Sequence, residues 1–318
     1  MLTKERLFRF APYIVIALFL VLWPPFAGSA LVGLLTKIII FGLLAMTLDF
    51  VNGFCGLWSF CQGALFGVAA YTTGILINKF DVSSFWITAP TAVLMSVLVA
   101  CLFGFVALRV SALYFLVITF ALGQLVYSTA LKWTPITGGS NGLGGIPYPD
   151  FGFPISWSYI SYYYLVLVIC VICFLLLYRI IKSPFGLSIQ GIRENEIRMR
   201  LLGYNTWMLK YISFIIGGLF AGVAGILYIH YNAAIAPTQV GVATSGLVWF
   251  IIIIGGAGTL WGALLGSAIV ALLQYYISIF TPERWPIVFG ACFVLAVMFL
   301  RGGIFPRLRN LWAKVSQP

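Results

Sequence analysis

Few side chains in this 318-residue sequence could do chemistry, and most of them fall in one stretch. Between Lys182 and Lys210 the chain reads KSPFGLSIQGIRENEIRMRLLGYNTWMLK, with Arg193, Glu194, Glu196, Arg198 and Arg200 inside eight residues. Elsewhere charge is scarce, at 8% of all residues. Asp49 is the one acidic residue well inside an apolar run, and Asn52 and Gln62 are the neutral polar groups that follow it. His230 is the single histidine, so no multi-histidine metal site can be built. Cys170 and Cys173 stand three residues apart with no histidine or carboxylate nearby, which favours packing over a metal or redox pair. No G-x-x-x-x-G-K-[ST] loop occurs, and this excludes ATP hydrolysis by that route. Gly255-Gly256-Ala257-Gly258, flanked by apolar residues, reads as a helix break or close helix packing.

The elements that must carry these residues follow from composition. At 62% hydrophobic and 17% aromatic, with a mean hydropathy of +1.08, the chain is a polytopic membrane protein. Apolar runs near 20 residues predict helices, since a membrane barrel would alternate over about ten residues. The expected fold is an all-α transmembrane bundle of about ten spans. They lie near 11–28, 32–51, 59–78, 85–108, 112–131, 158–181, 210–230, 242–256, 260–280 and 286–300. The first is read as a retained helix, not a cleaved signal. Gly53, Gly56, Gly63 and Gly67 leave open a broken or re-entrant third span. The whole of 1–318 is read as one transmembrane domain, with 182–210 as its large polar loop.

Basic residues set the orientation. With both termini in the cytoplasm, only Lys37, Lys79, Lys132 and Arg284 of the 18 Lys and Arg fall at or near the outer side. That bias agrees with an even number of spans and places 182–210 in the cytoplasm. The net charge of +11 therefore reflects topology, not a nucleic-acid patch.

Five charges in that loop cannot sit in hydrocarbon, where each costs about 2.5–3.5 kcal/mol at a helix centre. Ser183 and Pro184 mark a helix start, and Leu187, Ile192, Ile197, Leu201 and Leu202 supply an apolar stripe. A solvated loop and a docking helix for a partner both fit, and the amphipathic pattern favours docking. On the outer side, Gly138, Gly139, Ser140, Asn141 and Gly142 form a turn-rich loop ahead of Pro147, Pro149 and Pro154. That loop is either a contact surface on the outer side or a tight turn. Asp49, Asn52 and Gln62 could line a solute path, or could bond neighbouring helices.

Four stretches, taken together, resemble the permease subunits of branched-chain amino acid ABC importers of the LivM type. They are Gly53–Gly67 (GFCGLWSFCQGALFG), Tyr114–Gln124, the Thr137–Pro147 loop, and the run from Ser183 to Gly203 with the later Gly222–Gly225 and Gly255–Gly262. The resemblance implies an importer subunit in the bacterial inner membrane that itself binds no cofactor. ATP and Mg would be used by two ATP-binding subunits. A second, LivH-like permease and a periplasmic solute-binding protein would complete the assembly, with membrane lipid around it and no nucleic acid.

Ile192, Arg193, Glu194, Asn195, Glu196, Leu202 and Gly203 would then belong to a coupling helix that meets an ATPase subunit. Two positions depart from the family pattern: Asp49 stands where an asparagine is usual, and Gln62 where a histidine is usual. Branched-chain amino acids are the expected substrate, with urea or short amides as the alternative. An ion-coupled carrier or channel, with Asp49 and Asn52 as its only candidate ion site, and a scaffold without a solute path are the readings from other classes.

Overall fold

The computed structural model describes residues 20–110, 112–152, 156–280, 285–299 and 302–308. Its helices are α1 (Ser29–Leu48), α2 (Gln62–Phe80), α3 (Phe85–Ala107), α4 (Ala112–Lys132), α5 (Tyr159–Lys182), α6 (Pro184–Glu194) and α7 (Glu196–Leu201). Then follow α8 (Thr206–Asn232), α9 (Val242–Gly255), α10 (Leu260–Phe280) and α11 (Trp285–Phe299). Two short strands, β1 (Leu143–Gly144) and β2 (Ala234–Ile235), pair antiparallel at one end of the bundle. The protein is thus an all-helical, polytopic membrane bundle.

Among the described residues, seven helices are long and apolar enough to cross a bilayer. Three of the ten expected spans are not among them. The first, near 11–28, lies half outside the described residues, and its described half holds only a short helical end and the turn Pro24–Phe26. The third exists as the unbroken helix α2, which Gly63 and Gly67 do not interrupt, while Gly53 and Gly56 precede it in the turn and link from α1. Gln62, Thr72, Thr73, Asn78 and Lys79 make it more polar than the other long helices. The tenth, α11, has 15 residues, short of the roughly 20 that an upright crossing takes.

α1 sits at the centre, packed by α5, α8, α9 and α10, and its second half from Ile39 onward is largely buried. α8 lies against α2 and α3. Glycine makes that approach possible: a Cβ on Gly225 would run into the carbonyl of Phe66. One hydroxyl then ties the three together. The buried Ser96 of α3 donates within reach of Leu65 O of α2 (3.1 Å) and Gly218 O of α8 (2.9 Å). The tight break foreseen at Gly255–Gly258 is present, with Gly256 and Gly258 at φ of +108° and +81°. Such values favour glycine.

The bundle has two distinct ends. At one lie β1 and β2, the Gly138–Gly145 loop and Pro147, whose carbonyl meets Nδ1 of His230 at 2.7 Å. At the other lie the α6–α7 segment, the α9–α10 turn, and Gly303 packed against Gly256.

Candidate functional site

α1 does not stop at Leu48. It runs on into a π-helical turn, Asp49–Phe54, with the sequence DFVNGF. Such widened turns place backbone carbonyls outside the usual ladder and are frequent at functional sites. Asp49 is fully buried. Its Oδ1 accepts a hydrogen bond of 2.6 Å from the backbone N–H of Gly258, in the turn between α9 and α10. Burying a carboxylate is costly, and an amide N–H is the donor that offsets the loss of water. Glycine is required on both sides: a Cβ on Gly53 would collide with the Asp49 carboxylate and with Gly258 N.

Arg193, from the end of α6, reaches the same turn. Its Nη1 donates to Gly53 O. The stem of the side chain lies over Gly56, where a Cβ would stand 3.1 Å from its Cγ, and Nη1 lies 3.3 Å from the equivalent point on Gly258. Arg193 is also the cation that acts electrostatically on Asp49. Three parts of the chain, far apart in sequence, thus meet at one end of the bundle. None of these contacts has a sequence signature except the glycines, whose clustering was visible.

The remaining candidates for a solute path lie close by. Asn52 is half-buried in the π-turn, and its carbonyl accepts from Gly56 N (3.0 Å). Gln62 opens α2 and is wholly buried. Among the described residues neither of its side-chain polar atoms has a protein partner, and the same holds for Asp49 Oδ2. The Gln62 amide faces Gly217 of α8, 3.5 Å from where a Cβ there would be, beside Val51. Asp49 is therefore placed at the end of its helix that faces α6, not at its middle.

The charged loop is two capped helices. Ser183 Oγ accepts from Gly186 N (3.3 Å) at the start of α6, with Pro184 at the first helical position. Asn195 Oδ1 accepts from Arg198 N (2.9 Å) and starts α7. Gly191 lets Met199 fold back onto α6, since a Cβ there would meet its Sδ at 2.9 Å. Ile189 and Ile192 are buried and anchor α6 to the bundle. Glu196 pairs with Arg200 at 2.7 Å and with Lys210, and it accepts from Thr206 Oγ1 at 3.2 Å. Partial burial raises the Glu196 carboxyl, but the bonds and charges of Lys210 and Arg200 overcome it, so its pKa falls below the ordinary value.

The surface left over is apolar. Leu187, Ile197, Leu201 and Leu202 are 62%, 71%, 85% and 66% exposed, with Glu194, Asn195 and Gly203 around them. Of the predicted stripe, Ile192 alone is turned inward, where helical spacing on the sequence could not separate anchor from free face.

At the opposite end, Gly138, Gly139 and Gly142 have φ of +75°, +59° and +70°. Gly142 packs against Ile235 O, so these glycines shape the turn that leads into β1. Ser140 and Asn141 point out and are exposed. Among the described residues no group of three or more His, Cys, Asp or Glu could hold a metal.

Residues 30–297 match the family described as branched-chain amino acid transport system / permease component. The high-affinity branched-chain amino acid transport system permease protein LivM of Salmonella typhimurium is 30% identical, over 96% of this chain and 76% of that protein. LivM of Escherichia coli K12 is 29% identical over the same shares. The permease protein LivH of the Salmonella system is 21% identical, over 84% of this chain and 91% of its own. No solved structure matches.

Proposed function

The chain belongs to the family of branched-chain amino acid transport permeases, a transport component and not an enzyme, and from that premise we propose that it carries branched-chain amino acids inward across a bacterial inner membrane. It does so as one half of a permease pair with a LivH-like subunit, powered by two ATP-binding subunits that use ATP and Mg, and fed by a periplasmic solute-binding protein. Ten crossings put both termini, and the α6–α7 segment, in the cytoplasm. Gly138–Gly142 face the periplasm, and Ser140 and Asn141 are the side chains there that reach the binding protein. Asp49, Asn52 and Gln62 lie beside the inner end of the path.

One observation carries the coupling assignment. Exposed Leu187, Ile197, Leu201 and Leu202 sit on or beside two capped helices, the first rooted in the bundle by buried Ile189 and Ile192 and the second tied down by Glu196 through Arg200 and Lys210. An apolar patch at a polar end has no lipid to cover it, and an ATPase groove is the partner this architecture needs. Glu194, Asn195 and Gly203 frame that patch, and Leu202 lies within it. Replacing Ile197 and Leu201 together by Asp should strip the ATP-binding subunits from the purified complex while the permease still inserts. Retention of those subunits at wild-type stoichiometry, with unchanged leucine uptake, would sink the assignment.

A further inference from the structure

We infer that Arg193 and Asp49 are positioning residues that join α6 to two separate parts of the transmembrane bundle, so that a shift of α6 is passed to α1 and to the α9–α10 turn at once. The inference rests on the reading of α6–α7 as the ATPase-docking segment. Arg193 belongs to that segment by sequence, yet its guanidinium points away from the exposed apolar patch and donates to Gly53 O. Gly53 lies in the π-turn that ends α1, and Asp49 of the same turn holds Gly258 N at 2.6 Å. Gly258 lies in the link between α9 and α10. The path from docking segment to spans is therefore a short run of contacts through two side chains.

Three further facts make it a joint and not a chance contact. Gly53 lies at the C-terminal end of the π-turn, where the last carbonyls of a helix have no intrahelical donor and are open to an outside one. Gly53, Gly56 and Gly258 each leave no free room for a Cβ, and each abuts Asp49 or Arg193. Asp49 Oδ2 is buried and has no protein hydrogen-bond partner among the described residues, and the groups that favour the carboxylate's charge are the backbone of Gly258 and Thr259 and the Arg193 guanidinium. Removing Arg193 frees Gly53 O and takes away the nearby cation, and removing Asp49 frees Gly258 N, so both changes loosen the same junction and their effects are expected to be shared.

The test uses the complete importer, co-purified with its ATP-binding subunits and reconstituted in liposomes with its binding protein and radiolabelled leucine. Leucine transported per ATP hydrolysed is read beside the yield of assembled complex. Asp49→Asn, which keeps shape and the Oδ1 acceptor, and Arg193→Gln should each lower that ratio about fivefold or more with assembly retained. The double variant should be no worse than the poorer single one. Arg193→Lys keeps the charge but not the planar fork, and should fall between.

An unchanged ratio in either single variant overturns the inference, as does a double variant whose losses multiply. Arg193→Gln complexes that lose their ATP-binding subunits would make Arg193 a docking contact, which ends the joint but leaves the proposed function standing. Asp49→Asn that fails to assemble, beside an Arg193→Gln complex that stays coupled, also overturns it. Wild-type complex that moves no leucine would instead fault the proposed function.

Discussion

Asp49 and Gly258 are 209 residues apart in the chain and 2.6 Å apart at the hydrogen bond that joins them. That bond closes the end of α1 against the link between α9 and α10, and it gives a buried carboxylate a fixed donor. Asparagine at this position could accept the same bond without a charge. The aspartate therefore adds an electrostatic demand, and Arg193 is the cation in place to meet it.

Glu196 holds α7 to the start of α8 through Arg200 and Lys210. Its pKa is lowered in the fold, so this contribution is fully present above the ordinary carboxyl value of 4.5 and is lost as the pH falls through the lower, folded value. The side chain keeps 32% of its exposure, so solvent screening limits the gain to about 1 kcal/mol. Glu196→Gln should raise amide exchange in 196–204 by about fivefold at neutral pH, and wild type should approach the variant only in acid. Equal exchange in the two proteins at pH 7 would refute the clamp.

Ser96 serves two carbonyls on two other helices. Ser96→Ala should cost about 1–2 kcal/mol and lower the unfolding temperature of the detergent-solubilised protein, because two buried acceptors lose their shared donor. A melting curve that overlays wild type would show that these carbonyls are satisfied by other means.

Gly225→Ala should be worse. Its methyl would press on Phe66 O, a backbone atom that cannot rotate away. A cost of about 1–3 kcal/mol is expected from overpacking of this kind. Gly246, where a Cβ meets nothing, is the matched control and should tolerate alanine. Thermal stability by fluorescence-detected size exclusion separates the two.

Ser140 is exposed at the tip of the turn opposite the α6–α7 end. Ser140→Cys should react in intact cells with a thiol reagent that cannot cross the membrane. Labelling that needs permeabilised cells would place this loop in the cytoplasm and invert the proposed topology.

Substrate choice is open to direct measurement. Uptake of labelled leucine in cells carrying the complete importer should be competed by isoleucine and valine, and not by urea or acetamide. The reverse pattern would move the chain to the amide branch of its family.

The sequence displayed most of the bundle because bilayer solvation leaves little choice of element: apolar runs near 20 residues must be helices. Ser183 and Pro184 announced the start of α6 for the same local reasons that they cap it, whereas Asn195, placed within one coupling helix by the sequence, instead divides it into α6 and α7. The π-turn was not legible, since a widened hydrogen-bond register depends on what packs against it and not on the residues it contains. Ile192 and Ile197 look alike in the sequence, yet one is buried and the other free, and only tertiary packing distinguishes them. Asp49 seemed to lie deep in an apolar run because the run continues past the helix end into Phe50, Val51 and Phe54. Arg193 is exposed, as a charge in that loop should be, but its bond to the Gly53 carbonyl was not legible because a backbone atom has no letter in the sequence.

The shared hydroxyl of Ser96 has a mechanical corollary. A helix that slides by one turn must move its carbonyls by about 5.4 Å, far beyond the reach of a single serine. While both bonds hold, α2, α3 and α8 move together, and a rearrangement that keeps them is taken up at the boundary with α1, α5, α9 and α10. Cysteine pairs placed across that boundary would report the stroke. Pairs placed within the block would stay silent.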